Sequence, residues 1–231
     1  MTRISPCSYF KNNRGTLALV IILSVLLIDQ IIKFWIKTSF YLGQSEEITS
    51  WFHLHFIENN GMAFGWEIGS KLLLTSIRII VTALVIVYIW RIRKRPDLRT
   101  GYIVCLALIV AGAAGNIIDC AFYGLIFDDP APMATATLFP EGGGYGTFLQ
   151  GRVVDMFYFP IASWDWPSWL PIIGGQHFQF FQPVFNFADA AISVGIIALL
   201  LFYRKDFSSS GDPKQPLTDG SDTPANTPSE Q

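Results

Sequence analysis

Leu17-Ala18-Leu19-Val20-Ile21-Ile22-Leu23-Ser24-Val25-Leu26-Leu27-Ile28 runs without a break into Asp29-Gln30-Ile31-Ile32-Lys33. The first part carries no charge. With its neighbours it makes an apolar run over 16–36, the ~20 residues a helix needs to cross a hydrocarbon core. Then two charges and an amide arrive within about one turn of the same helix. Such groups are expensive in lipid and mark functional positions by default. This one stretch therefore predicts a membrane protein and points to where its chemistry lies.

Three more apolar runs follow, at 72–90, 102–122 and 184–203, the last with Pro183 placed for a helix start, where its missing N–H costs little. The composition agrees. Of the 231 residues 51% are hydrophobic and 15% charged, against roughly 25% charged in an average soluble domain. The mean hydropathy is +0.39. The fold class expected is an all-α integral membrane protein of four transmembrane helices, with a small external β-containing subdomain. Residues 1–206 form the membrane domain, and 207–231 form a tail of Ser, Thr, Pro, Asp and Gly that is expected to be disordered. The net charge of −2 offers no basic surplus for nucleic acid. Cys7, Cys105 and Cys120 are too few and too scattered for a disulfide framework or a zinc site, and read as free thiols. Arg3, Lys11 and Arg14 precede an apolar run with no small-residue cleavage site after it, so the run reads as a retained span.

Lys and Arg counts set the direction. Arg3, Lys11 and Arg14 precede the first span. Arg91, Arg93, Lys94, Arg95 and Arg99 fill the short loop between the second and third. Arg204, Lys205 and Lys214 follow the fourth. These segments, and so both termini, are expected in the cytoplasm. The long loops 37–71 and 123–182 are expected outside. In the first, 48–57 alternates like a strand, and Asn59-Asn60-Gly61 reads as a turn.

With that direction the costly residues fall at one level. Asp29, Gln30 and Lys33 lie toward the outer end of the first span. Asn116 and Asp119 lie toward the outer end of the third, and Asn186 and Asp189 in the first turns of the fourth. Asp155 sits in the second external loop among apolar neighbours. Asn116 and Asp119 are spaced i, i+3, so they share a helix face, and Asn186 and Asp189 repeat the spacing. Ala111-Gly112-Ala113-Ala114-Gly115 permits close helix packing beside them. Carboxylates gathered with amides, and with no His or Cys ligand among them, suit a pair that shares one proton to activate water. Other readings stand beside this one. Asp29 and Lys33 (i, i+4) also fit a structural ion pair, the two Asn fit interhelical hydrogen bonds, and Asp119 and Asp155 fit solvated carboxylates. Arg78 reads as snorkelling outward. His53, His55 and His177 are isolated and carry no assignment. A peptidase, an ion pathway and a scaffold all remain open on the residues alone.

Five motifs carry a resemblance. Leu27-Ile28-Asp29-Gln30-Ile31-Ile32-Lys33, Asn59-Asn60-Gly61-Met62-Ala63-Phe64, Ala114-Gly115-Asn116-Ile117-Ile118-Asp119, Gly151-Arg152-Val153-Val154-Asp155-Met156 and Phe185-Asn186-Phe187-Ala188-Asp189-Ala190-Ala191-Ile192 resemble, in the same order, those of bacterial lipoprotein signal peptidase (signal peptidase II). The likeness covers about 16–203. It implies a membrane aspartic endopeptidase that removes the signal peptide of lipid-modified prolipoproteins before the diacylglyceryl-cysteine. It implies Asp155 and Asp189 as the catalytic pair, and Asp29, Lys33, Asn59, Gly61, Asn116, Asp119 and Asn186 as residues that support the site or touch substrate. No cofactor or metal is expected. The expected surroundings are membrane lipid of the bacterial inner membrane, with the site at its outer surface and the chain a monomer. Two features depart from the family pattern. Cys120 stands where the family has Arg, and Arg152 is the candidate to compensate. An insertion rich in Gly, Pro and Ala lies between Gly124 and Gly151, with Phe127 to Thr147 expected outside the catalytic core as a mobile lid, and the Trp- and Phe-rich stretch from Phe159 to Gln182 is also longer than the family's, with aromatics that suit the membrane–water interface. The rival reading is a proton-coupled transporter or channel, which would want charges at mid-depth and broken helices in related halves.

Overall fold

The computed structural model describes residues 13–60, 71–204 and 206. The expected tail and Gly61 lie outside the described residues. Helix α1 spans Arg14–Ser39 and α2 spans Lys71–Ile92. Helix α3 spans Thr100–Ile118 and continues through a π-helical turn, Asp119–Tyr123, into the short α4, Gly124–Ile126. Helix α5 spans Phe187–Phe202. Among the described residues, three stretches are long and apolar enough to cross a membrane: Arg14–Ser39, Lys71–Ile92 and Thr100–Ile126. Helix α5 is apolar but has 16 residues, about 24 Å at 1.5 Å per residue, against ~30 Å of hydrocarbon. It is shorter than the 184–203 expected because the chain stays extended past Pro183, as strand β6 (Val184–Phe185), and turns helical only after Asn186.

Helix α3 lies at the centre, packed against α1, α2 and α5. Its apolar side chains are mostly covered, whereas α1 turns Leu19, Leu23, Leu27 and Ile31 outward and α2 turns Leu73, Ile77, Ile80 and Leu84 outward. Those exposed faces suit lipid contact. One core, Ala18, Ile89, Ile92, Leu98, Tyr102, Ile103, Leu106, Ala107 and Val110, closes the end that carries the Arg91–Arg99 loop. At the crossing of α3 and α5 the small residues matter. A Cβ on Gly112 would lie 2.2 Å from the Ala188 carbonyl oxygen, and one on Gly115 would lie 2.6 Å from Asp29 Oδ2.

The opposite end carries an antiparallel sheet in the order β1-β2-β3-β6. Strands β1 (Ser45–Thr49) and β2 (Phe52–Asn59) form a hairpin. The single strand expected over 48–57 is thus broken at Ser50–Trp51. Strand β3 (Val153–Tyr158) pairs with β2 and β6. Side chains alternate across a strand, so Val154 and Met156 enter a second core with Ile36, Phe40, Phe56, Tyr123, Phe127 and Ala136. Asp155 points to the other face. A separate hairpin pairs β4 (Ala162–Asp165) with β5 (His177–Phe180).

The insertion is not detached. Phe127 and Ala136 are buried in the second core, and Thr135 bridges to Tyr41. A cavity of about 320 Å³ lies between it and the end of α1, lined by Lys37, Phe40, Phe56, Asp129 and Met133 among others. The insertion returns to β3 through the π turn. A π turn leaves α-helical carbonyls without their usual partners. The Cys120 carbonyl accepts from Gly151 N (2.8 Å) and the Ala121 carbonyl from Leu149 N (3.4 Å). Gly151 fits because a Cβ there would stand 2.0 Å from the Asp119 carbonyl oxygen.

Candidate active site

Three buried carboxyls, the half-buried Asp189 and one ammonium meet where the helices reach the sheet. Lys33 Nζ has three N–H donors and uses them on three acceptors: Asp119 Oδ2 at 2.7 Å, Asn116 Oδ1 at 2.8 Å and Asp29 Oδ2 at 3.0 Å. Lys33 is completely buried, and Asp29 and Asp119 nearly so. A buried charge is tolerable only when paired and hydrogen-bonded. Asp119 Oδ1 also accepts from Gln30 Nε2 at 2.9 Å, and Gln30 Oε1 accepts from Tyr123 OH at 3.2 Å. Asp29 Oδ1 takes the Ala188 N–H at 2.9 Å. That N–H is among the first of α5, which no intrahelical carbonyl can satisfy, so α1 caps α5.

Because Lys33 can only donate, the Asn116 amide is oriented: its oxygen faces Lys33 and its nitrogen faces away. Asn116 Nδ2 donates to Asp189 Oδ1 at 2.8 Å. Asn186 is the N-cap of α5 and forms a capping box with Asp189. Its Oδ1 accepts from Asp189 N at 2.9 Å, and its own N–H reaches Asp189 Oδ2 at 3.4 Å. The same side chain donates through Nδ2 to Asp155 Oδ1 at 2.6 Å and lies 3.2 Å from both Asn116 Oδ1 and the Val154 carbonyl oxygen. One asparagine thus holds both Asp155 and Asp189.

Asp155 is 2% exposed. Burial, and after it the nearby charge of Asp189, push its carboxyl from the ordinary 3.8 up to about 7. Lys33 and hydrogen bonds from Asn186 and Asn59 pull the other way. Burial therefore favours the protonated form of this carboxyl. A proton-holding acid next to a second carboxyl, fixed by an amide common to both, can donate a hydrogen bond while its partner accepts a proton.

A family model described as signal peptidase (SPase) II matches residues 21–204. The chain belongs to the signal peptidase II family. A lipoprotein signal peptidase of Porphyromonas gingivalis is 47% identical over 207 residues, 90% of this chain and 91% of that one. One of Amoebophilus asiaticus is 37% identical over 190 residues, 80% of this chain and 76% of its own length. Among solved structures, a bacterial membrane enzyme determined at 2.3 Å has the same fold, with TM-score 0.53 and 24% identity over 84% of this chain and 91% of that one.

Against this signal peptidase II background, the two departures find their places. Arg152 does not reach the buried carboxyls. Its guanidinium bonds Glu58 at 2.8 Å and Asp129 at 2.9 Å and lies over the Tyr145 ring at 4.6 Å. Glu58 also pairs with Lys37, whose ammonium lies 5.1 Å from the Phe127 ring centre. This second network ties the insertion to the strand ahead of Asp155. The guanidinium beside Cys120 is that of Arg78, with NH1 3.8 Å from Sγ. Arg78 therefore turns inward rather than out to lipid. It sits on the stripe of α2 that faces α3, between the buried Thr75 and Thr82. The spacing 75, 78, 82 was a readable signal for this inward face. Gln30, expected among the costly residues of the first span, joins the site, and so does Tyr123, which the sequence reading did not single out.

Proposed function

We propose that this chain is the membrane endopeptidase that removes the signal peptide from lipid-modified prolipoproteins, cutting ahead of the diacylglyceryl-cysteine, with Asp155 and Asp189 as its catalytic pair. The observation that carries the reading is the Asn186 bridge: one side chain hydrogen-bonded to Asp155 and boxed with Asp189. The names of the relatives supply the substrate class.

Asp189, with N–H donors on both oxygens, takes a proton from the attacking water. Asp155, held protonated by burial, donates to the scissile carbonyl and stabilises its developing negative charge. The tetrahedral intermediate collapses as a proton passes to the leaving amine, and the dyad returns to its single-proton state. Lys33, Asp29, Asp119 and Asn116 hold the frame and do not touch the reacting atoms. Asn59 steadies Asp155. This chemistry calls for no metal or cofactor.

The chain crosses the bacterial inner membrane four times in this reading, with the apolar α5 as the fourth span. The Arg91–Arg99 loop and both termini face the cytoplasm, the sheet and the carboxyls lie at the outer surface, and the monomer is sufficient. A lipid-anchored substrate presents its scissile bond at that depth.

The test is processing of a lipid-modified prolipoprotein by Asp155→Asn, Asp189→Asn and the double variant, beside a binding assay. Each single change should cost ~10²–10⁴-fold in rate. The double should cost little more, because the two act as a unit, and binding should persist. Near-parental cleavage by either single variant would remove that residue from the pair.

A further inference from the structure

The β4–β5 hairpin is amphipathic by register. Opposed residues of an antiparallel pair share a face. Ala162 opposes Phe180 and Trp164 opposes Phe178, while Ser163 opposes Gln179 and Asp165 opposes His177. One face is apolar and the other polar. On the apolar face Trp164 and Phe178 touch, ring centres 4.7 Å apart, yet Trp164, Phe178 and Phe180 all stay exposed. The loop joining the strands adds Trp169 at 77% and Ile172 at 94% exposure. A two-stranded sheet alone is marginal in water, and an exposed apolar surface of this kind marks a contact.

Charge and continuity identify what covers it. The stretch 159–183 has no Lys or Arg. Its one acid, Asp165, is paired with His177 Nδ1 at 2.7 Å on the polar face. A neutral surface of Trp and Phe matches the membrane–water interface, and it carries nothing to recognise an anionic headgroup. The hairpin leads within a few residues into α5, whose own Val194, Ile197 and Leu201 are exposed apolar residues. Its root is stiff. Phe159 stacks on Phe52 at 4.9 Å and on Phe185 at 5.6 Å, and Phe181 meets Phe185 at 6.3 Å.

We propose that the β4–β5 hairpin is a membrane-docking element that lays its apolar face and loop into the interface of the leaflet at the sheet end, by uncharged aromatic insertion. The hairpin is spliced between β3, which carries Asp155, and α5, which carries Asp189. Docking therefore sets the height of both carboxyls above the bilayer. That consequence for substrate rests on the peptidase reading above; the docking itself does not.

The full chain with Cys7→Ser is labelled with an environment-sensitive fluorophore at Ile172→Cys or, as control, at Gly142→Cys, which faces open space; Cys105 and Cys120 are buried. The protein is placed in phosphatidylcholine vesicles with or without lipids spin-labelled near the headgroup. The Ile172 probe should emit to the blue and lose most of its emission to the spin label, and the Gly142 probe should do neither. A water-like, unquenched Ile172 probe would overturn the proposal. So would a blue-shifted but unquenched one, which would mean a second copy or another protein covers the face. Quenching that needs anionic lipid would overturn the uncharged mode. Cleavage is read separately in the same vesicles. Trp169→Ser with Ile172→Ser should raise KM for embedded lipid-modified prolipoprotein and leave kcat unchanged, whereas an unchanged KM would refute the height-setting role. No cleavage by the parent chain, with the Ile172 probe still quenched, would sink the peptidase reading and uphold docking.

Discussion

Lys33→Met removes one ammonium and leaves three acceptors behind. Met keeps the length of the stem, so the change tests charge and hydrogen bonding rather than a cavity. Two of the stranded acceptors are the carboxylates Asp29 and Asp119, and the third is the Asn116 oxygen. Removing one partner of a buried ion pair costs about 3–5 kcal/mol, since the other charge stays buried without compensation. Lys33 serves two carboxylates, so the upper half of that range is expected, roughly a thousandfold in the folded-to-unfolded ratio at 1.4 kcal/mol per factor of ten. Adding Asp119→Asn takes away one stranded charge. The double variant should then be more stable than the sum of the singles by ~0.5–3 kcal/mol, as for residues in one network. The assay is thermal and denaturant unfolding of both singles and the double in the same detergent, at neutral pH. A Lys33→Met protein within about 1 kcal/mol of the parent, or strict additivity in the cycle, would refute the reasoning that this ammonium holds the frame.

Asp155, with its carboxyl raised to about 7, favours the protonated form when folded. Its contribution to stability is full below the ordinary 3.8 and is lost as pH rises through about 7. Asp155→Asn should therefore unfold at a higher temperature than the parent at pH 8 while losing activity, and the alkaline fall of the parent's kcat/KM should centre near 7; equal unfolding temperatures at pH 8 would contradict this. Gly112→Ala should push α5 off α3 at the Ala188 carbonyl, costing about 1–3 kcal/mol as overpacking does and lowering turnover; unchanged melting would mean the helices yield freely there. Arg78→Gln should lower cleavage about tenfold, the worth of one hydrogen bond to a charged group, and more than Cys120→Ser does; equal, negligible effects would return Arg78 to the role of a lipid-facing residue.

What could be read from the sequence was local. Asn116 with Asp119, and Asn186 with Asp189, share helix faces at i, i+3 spacing, and folding brings both pairs to one place. Asp29 and Lys33 read as a pair, but the same ammonium also serves Asp119 and Asn116, a convergence of two helices that spacing cannot express. Asp155 had only its apolar neighbours and its motif to mark it, because a strand position says nothing about which helix end it will meet. The sheet was half seen. Its β1–β2 hairpin is local, whereas β3 and β6 arrive from far along the chain. The insertion looked coreless for a similar reason, since Phe127 and Ala136 find their partners on α1 and β2 rather than among their neighbours. The length of α5 was overread because Val184 and Phe185 are as apolar as a helix but are used as strand.

The π turn after α3 also separates loop length from active-site register. Gly146, Leu149 and Gly151 dock their N–H groups on the carbonyls of Gly124, Ala121 and Cys120, so the chain re-enters at a fixed port wherever it has been in between. An excursion leaving at Ile126 can grow or shrink and still hand Val153 to the same rung of the sheet, with Asp155 delivered opposite Ile57. A shorter or longer excursion would then leave the same register of carboxyls in place, so the length of this loop can change without moving them.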